Sequence, residues 1–230
     1  MPRWLVLFIS AALAATAAVN TADLDKARDR QDAAALEGLI SQARQRTQAN
    51  PNSAQALYQE ALADSYAAEI AIEVHDKKKA ESLAEAGIDV ARKAVAIEGG
   101  NAEYHRVLGD LCGQAIPANI FSALKYGQCA RDEVNKAIQL DPNLAIAYVS
   151  RGVGNYYLPS QMGGGYDSAL KDFDKAISLS PNLPEAYLWK GLALRKLNKN
   201  AEARQALQKA LQIDPNRLWA KQQLEKTPAQ

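Results

Sequence analysis

Three short segments of this chain share one phrase at one phase. They run from Ala137 to Pro142, from Ala176 to Pro181 and from Ala210 to Pro215, and each follows a lysine: Lys136, Lys175 and Lys209. The prolines stand 39 and then 34 residues apart. A weaker copy, Lys93 to Gly99, has glycine where the others have proline. Upstream of the three full copies lies a glycine, Gly109, Gly152 or Gly191, and Tyr148 and Tyr187 stand four positions before the last two. Self-similarity at such a period marks a stack of small supersecondary units, none of which can bury its apolar face alone.

The residue types say what those units are. Gly191 with Ala203, and Gly152 with Ala169, are small pairs that let two antiparallel helices approach closely. Leu207 and Phe173 fill the space beside them, and proline ends the second helix of each pair. The chain has 44 alanines in 230 residues, which favours closely packed helices over sheets. An ordinary bundle has no need of proline at the same phase three times.

The order aromatic-x3-Gly, then Ala-x3-Leu-x2-Ala-x4-Pro, resembles the tetratricopeptide repeat (TPR) family. Tyr187, Gly191, Ala203, Leu207, Ala210 and Pro215 carry it in the clearest copy. Tyr148, Gly152, Ala169, Phe173, Ala176 and Pro181 carry the second. Leu108, Gly109, Ala130, Val134, Ala137 and Pro142 carry the third, with His105 in the aromatic slot. The resemblance implies an all-α fold, a right-handed TPR-type solenoid of stacked antiparallel helix pairs. On this reading 18–50 holds N-terminal helices, broken near Arg30-Gln31-Asp32. Residues 54–98 form a degenerate repeat, with Asp76 capping its second helix. Repeats follow at 102–142, 145–181 and 184–217, and 218–230 supplies a C-terminal capping helix and tail. The 102–142 copy is about nine residues too long, around Gln114 to Ser122, and the 145–181 copy about five, around Leu158 to Gly165. Both insertions are expected as enlarged inter-helix loops forming a ridge along one edge.

Residues 1–17 read as an export signal. Arg3 precedes an apolar run from Trp4 to Leu13, small residues follow, and Ala15-Thr16-Ala17 offers a cleavage site. The run is short for a membrane span. A periplasmic or secreted location is therefore expected, with no stable membrane insertion after signal cleavage. In such a compartment the two cysteines, Cys112 and Cys129, are candidates for a disulfide. Cys129 immediately precedes Ala130, and Cys112 lies three residues past Gly109, so antiparallel pairing brings the sulfurs toward one level. The alternative is two small buried hydrophobes that never oxidise.

Other chemistry finds little material. Lys+Arg is 27 against Asp+Glu 26, which gives no nucleic-acid surface. Two histidines and two cysteines are too few for a metal site of normal spacing, and no cofactor motif is present. Gly163-Gly164-Gly165 before a helix could hold an anion through backbone N–H groups, but it lacks the Gly-Lys-Ser/Thr continuation. His105 with Cys112 could imitate a catalytic pair, without a partner to orient it. No catalytic residue is assigned, and the chain is read as not an enzyme.

The TPR resemblance implies a concave face that binds a segment of another protein. The positions it assigns to that face are Ile146, Val149, Val153, Tyr156, Tyr157, Glu185, Leu188, Trp189, Leu192, Arg195 and Lys196, with Glu103, Arg106 and Asp110 in the preceding copy. Family members that clamp a C-terminal carboxylate use Lys and Asn at slots held here by Arg106/Asp110, Val149/Val153 and Leu188/Leu192, so that mode does not fit. The leading expectation is an exported scaffold for protein–protein interaction in the cell envelope. A small-ligand or lipid-binding module using the apolar groove is the alternative, and the protein's own terminal helices could fill the floor.

Overall fold

The structure, a computed structural model, describes residues 18–118 and 120–229. The signal expected at 1–17 lies outside them. The described residues are all helical: α1 (Thr21–Asp29), α2 (Ala33–Ala49), α3 (Ala54–Glu73), α4 (Lys77–Ile97), α5 (Ala102–Ala115), α6 (Ile120–Leu140), α7 (Ala145–Tyr157), α8 (Tyr166–Leu179), α9 (Pro184–Lys196), α10 (Asn200–Ile213) and α11 (Leu218–Glu225). No strand occurs among them. Helices α3/α4, α5/α6, α7/α8 and α9/α10 pair, and each pair stacks on the next. This is the all-α solenoid that the repeat phase implies.

Local sequence sets the helix ends. Asn20, Asp32, Ser53, Asp76 and Asn101 each accept a hydrogen bond from an N–H of the following first turn. Gln31, between α1 and α2, takes a positive φ of 52°, which turns the chain there. Helices α6, α8 and α10 stop just before Pro142, Pro181 and Pro215.

The glycines mark where helices touch. A Cβ on Gly191 would stand 2.7 Å from Leu207 Cγ and 3.0 Å from Ala203 O. One on Gly109 would meet Val134 Cγ2 at 2.6 Å, and one on Gly152 would collide with the Phe173 ring. Gly87 on α4, which the repeat pattern does not single out, plays the same part against Leu111 at 2.7 Å. Gly191→Leu is expected to cost about 1–3 kcal/mol by overpacking the α9/α10 contact. Urea unfolding of the variant reads this, and an unchanged midpoint would refute the close contact.

The two insertions differ from expectation. The extra residues around 114–122 form a 3-10 turn, Ile116–Ala118, and the first turns of a long α6 instead of an open loop. Helix is favoured because this stretch packs along α4. Ser122 Oγ donates to Glu81 Oε1 at 2.6 Å and Tyr126 Oη to Glu85 Oε1 at 2.7 Å. The second insertion is a tight connector. The N–H groups of Gly163, Gly164 and Gly165 donate to the carbonyls of Ser160, Pro159 and Asn155/Leu158. With those donors spent, this turn is not an anion nest.

Cys112 and Cys129 are joined by a disulfide, Cα–Cα 6.0 Å, which ties α5 to α6. His105 does not face it as a reactive partner. Its Nδ1 lies 2.6 Å from Glu133 Oε2 and its Nε2 3.0 Å from Gly99 O, so it links α5 to α6 and to the preceding turn.

Candidate partner-binding face

First helices α5, α7 and α9 carry the residues expected on the concave face, and the structure divides them. Val149 is buried with Tyr148, Phe173 and Ala176 between repeats. Leu188 and Leu192 are buried under α11, packed with Ala220, Trp219 and Leu224. These three are therefore core and not open floor: their side chains turn toward the neighbouring pair or under the cap. Arg195 is also committed. Its guanidinium donates to Gln223 O (3.2 Å), Gln223 Oε1 (2.8 Å) and Thr227 Oγ1 (3.3 Å), fastening the C-terminal segment. Arg106 is held by Glu103 and by Asp110 on its own helix, and is buried.

What remains reachable is an aromatic group. Ile146, Val153, Tyr156 and Trp189 are partly exposed, and Tyr157 is exposed beside them. Ring centroids of Tyr156 and Trp189 lie 5.7 Å apart, Tyr157 and Trp189 6.1 Å, and Trp189 and Trp219 5.2 Å, all edge to face. Tyr166 adds a tilted ring 5.2 Å from Tyr156. Mutual edge-to-face packing holds these rings in place, so they offer contact area with little freedom left to lose on binding. Burial pushes the Tyr156 hydroxyl up to about 12, so it stays a neutral donor.

A charged clasp ties the two ends of the chain together. Arg217, just before α11, is 1% exposed. Its Nη2 lies 2.6 Å from Glu69 Oε1 and 2.5 Å from Glu73 Oε1, both on α3. Arg28 on α1 reaches Glu185 at the start of α9, 2.8 Å away, and stacks over Tyr66 at 4.7 Å. Asp29 stands 3.8 Å from Arg217 Nε, and Gln31 bridges Glu73 (2.7 Å) and Gln222 (3.1 Å). Four carboxylates thus share two guanidinium groups. Sequence reading missed this cluster, because glutamates at Glu69 and Glu73 carry no mark of an arginine more than a hundred residues away.

Burial and that imbalance raise the acids. Desolvation pushes Glu73 up to about 7 against the pull of Arg217, and Asp29 up to about 6 against Arg28. Asp64, buried beside Arg44, goes to about 7, and Asp110, beside Arg106, to about 6. In each case the folded chain holds a proton that the unfolded chain releases near pH 4. Their contribution to stability is therefore full below about pH 4 and is lost as pH rises through about 6 to 7. Unfolding free energy is expected to fall from about pH 5 to about pH 8, by at most about 1.4 kcal/mol per pH unit for each proton involved, and melting temperature to fall with it. Glu73→Gln should flatten the upper part of the profile. A melting temperature that rises over this range would show that these acids are ionised throughout.

Comparison with known proteins places the architecture. A sequence profile of the family described as regulator of microtubule dynamics protein 1-3 matches residues 18–162, more than half the chain. The chain belongs to that family. A tetratricopeptide repeat profile matches residues 163–217, so the TPR resemblance holds as well. The regulator-family match includes α1 and α2, which lie outside the repeats proper, and ends inside the α7–α8 connector. No curated protein matches the sequence. Among solved structures, a thermophilic TPR protein of Thermus thermophilus, TTC0263, is similar at 17% identity and a TM-score of 0.61, covering 87% of this chain and 97% of that one. The HusA haemophore from Porphyromonas gingivalis is similar at 18% identity and 0.56, covering 86% and 94%. A MamA structure is 24% identical with a TM-score of 0.46, covering 86% and 91%. At these identities the likeness is one of fold. TPR proteins of this kind serve in general as scaffolds that bind other proteins.

Proposed function

We propose that this regulator-family protein is an exported scaffold that holds a segment of another cell-envelope protein against the Tyr156–Tyr157–Trp189 surface. The observation that carries the reading is the aromatic group itself. It is a rigid set of rings, reachable at Tyr157, on first helices whose neighbouring floor positions are filled. Aromatic anchors of this sort dominate binding energy in protein interfaces. The reading of residues 1–17 as a signal supports the envelope location. The apolar groove that a small ligand would need is largely occupied by Val149, Leu188, Leu192 and α11. An open depression of about 420 Å³ between α2 and α4 has Glu37, Ser41, Arg44, Gln45 and Gln48 around Ile40 and Leu83, a mixed polar and apolar lining.

The test places a photo-crosslinking residue at Tyr157 in the native host, with Gly38 on α2 as the control position. A distinct host protein should crosslink from Tyr157 and not from Gly38. Identical products from both positions, or none from Tyr157, would overturn the proposed surface. Mass spectrometry of the mature N-terminus tests export separately. A chain that retains residues 1–17 and fractionates with the cytoplasm would remove the envelope from the proposal while leaving the surface standing.

A further inference from the structure

The aromatic face is not where the most exposed apolar side chains lie. Phe121 and Leu124, at the start of α6, are 76% and 78% exposed. Val74, ending α3, is 57% exposed, and Met162, in the α7–α8 connector, is 69% exposed. All four stand at the tips where the first helix of a pair passes to the second, in three consecutive pairs. Such tips share one edge of a solenoid, and contacts here confirm it. The bonds from Ser122 to Glu81 and from Tyr126 to Glu85 set the start of α6 directly beside the start of α4. Helices α5 and α7 pack against each other, which brings the next tip alongside.

The charge on this edge is equally specific. Lys77, Lys78 and Lys79 form the first turn of α4, and Lys125 follows Leu124; all four are exposed. Lys79 approaches Glu37 at 3.5 Å and Lys125 approaches Glu85 at 3.1 Å, while Lys77 and Lys78 have no ion pair among the described residues. Three cations in a first turn oppose the helix dipole, so helix stability gives no reason for them.

We propose that this edge rests on an anionic lipid bilayer, with Phe121, Leu124, Val74 and Met162 entering the interface and the lysines meeting headgroup phosphates. The shape selects a bilayer over a protein groove-binder. The apolar groups stand at the tips of three hairpins, and lysines adjoin two of those tips, Lys77 to Lys79 after Val74 and Lys125 after Leu124. A deformable interface accepts separate protruding side chains together with cations at headgroup level. Lysines near an anionic surface add attraction that is screened by salt. The other end of the molecule is distinct: the carbonyl of Val19 accepts from Gln59 on the first half of α3, whereas Val74 ends that helix. Attachment through the N-terminus and docking through the tips would therefore leave different footprints.

Hydrogen–deuterium exchange on the full chain tests the proposal, with vesicles of phosphatidylethanolamine containing about a third phosphatidylglycerol and with phosphatidylcholine vesicles as the neutral control. Added protection is expected over 74–80, 116–126 and 158–165 with the anionic vesicles alone, weakening as salt is raised. Phe121→Asp with Leu124→Asp should lower vesicle partitioning about tenfold or more. Both side chains are exposed, so circular dichroism should show the variant folded. Lys77→Glu with Lys78→Glu is the second variant and should weaken binding without touching the core. Protection confined to the residues around Val19 would overturn the proposal, as would binding of both variants at the level of the parent. Concentration-dependent protection of the tips without vesicles would assign the edge to a second copy of the chain instead.

Discussion

Arg217→Met is expected to destabilise the protein by about 3–5 kcal/mol and to release both ends of the solenoid. Methionine keeps the length of the stem but removes every donor. Glu69 and Glu73 would then remain on α3 without the guanidinium that lies 2.6 and 2.5 Å from them. Removing one partner of a buried pair costs far more than the pair is worth as a whole, because the survivors are charged and dry. Glu73 is already pushed up to about 7, so the loss should be larger near pH 8 than near pH 5, where protonation relieves the survivor. Arg217→Lys should recover only part of the loss, since an ammonium cannot meet Glu69 and Glu73 with a planar fork. Urea unfolding gives the magnitude. Hydrogen exchange should place the added opening in α1 and α11, the elements that Arg28, Gln31 and Gln222 join to the clasp. Stability within about 1 kcal/mol of the parent would mean that the clasp is an incidental contact.

That clasp also shows where sequence reading stops. The repeat was legible because its information is local. Gly191, Ala203 and Leu207 sit at fixed offsets within one hairpin, and proline punctuates each second helix at the same phase. Gly87 escaped because its tightest contact, to Leu111, runs between consecutive pairs, and its contact within the pair is to Asp64 and not to an apolar repeat position. The length of α6 escaped for a related reason: Ser122 and Tyr126 are held helical by Glu81 and Glu85 on another hairpin. Side-chain direction on the first helices was the weakest inference. The TPR resemblance set Val149, Leu188 and Leu192 on one face, but α11 and the adjoining pair cover them, and no periodicity within α7 or α9 reports a cap that comes later in the chain. Tyr157, which the structure leaves exposed against Trp189, is one of the positions that the TPR resemblance sets on that face. The Arg217–Glu73 pair is the extreme case, a contact 144 residues apart with no pattern at either end.

Removing the Cys112–Cys129 bond carries the second large effect. The bond closes a loop with a sequence separation of 17 around the α5–α6 turn. In the chain-entropy model a loop of this size restricts the unfolded chain enough to be worth about 3 kcal/mol. Cys112→Ala with Cys129→Ala should lose most of that, since the rest of the α5/α6 contact survives: Gly109 against Val134, and His105 against Glu133. For a chain of this length the loss corresponds to a fall in melting temperature of about 6–12 °C. The position matters as much as the size. The α5/α6 pair lies between the degenerate first pair and the two C-terminal pairs, and a solenoid transmits stability only through its neighbours. Loosening it should split one unfolding transition into two, with α7 to α10 outlasting the middle. Cys112 is buried and Cys129 only partly so, which leaves the bond open to a small reductant from one side. Dithiothreitol should therefore reproduce the double variant in the parent protein and leave the variant itself unchanged. A reduced parent that melts as one transition at the oxidised temperature would show that the bond contributes nothing to holding α5 on α6.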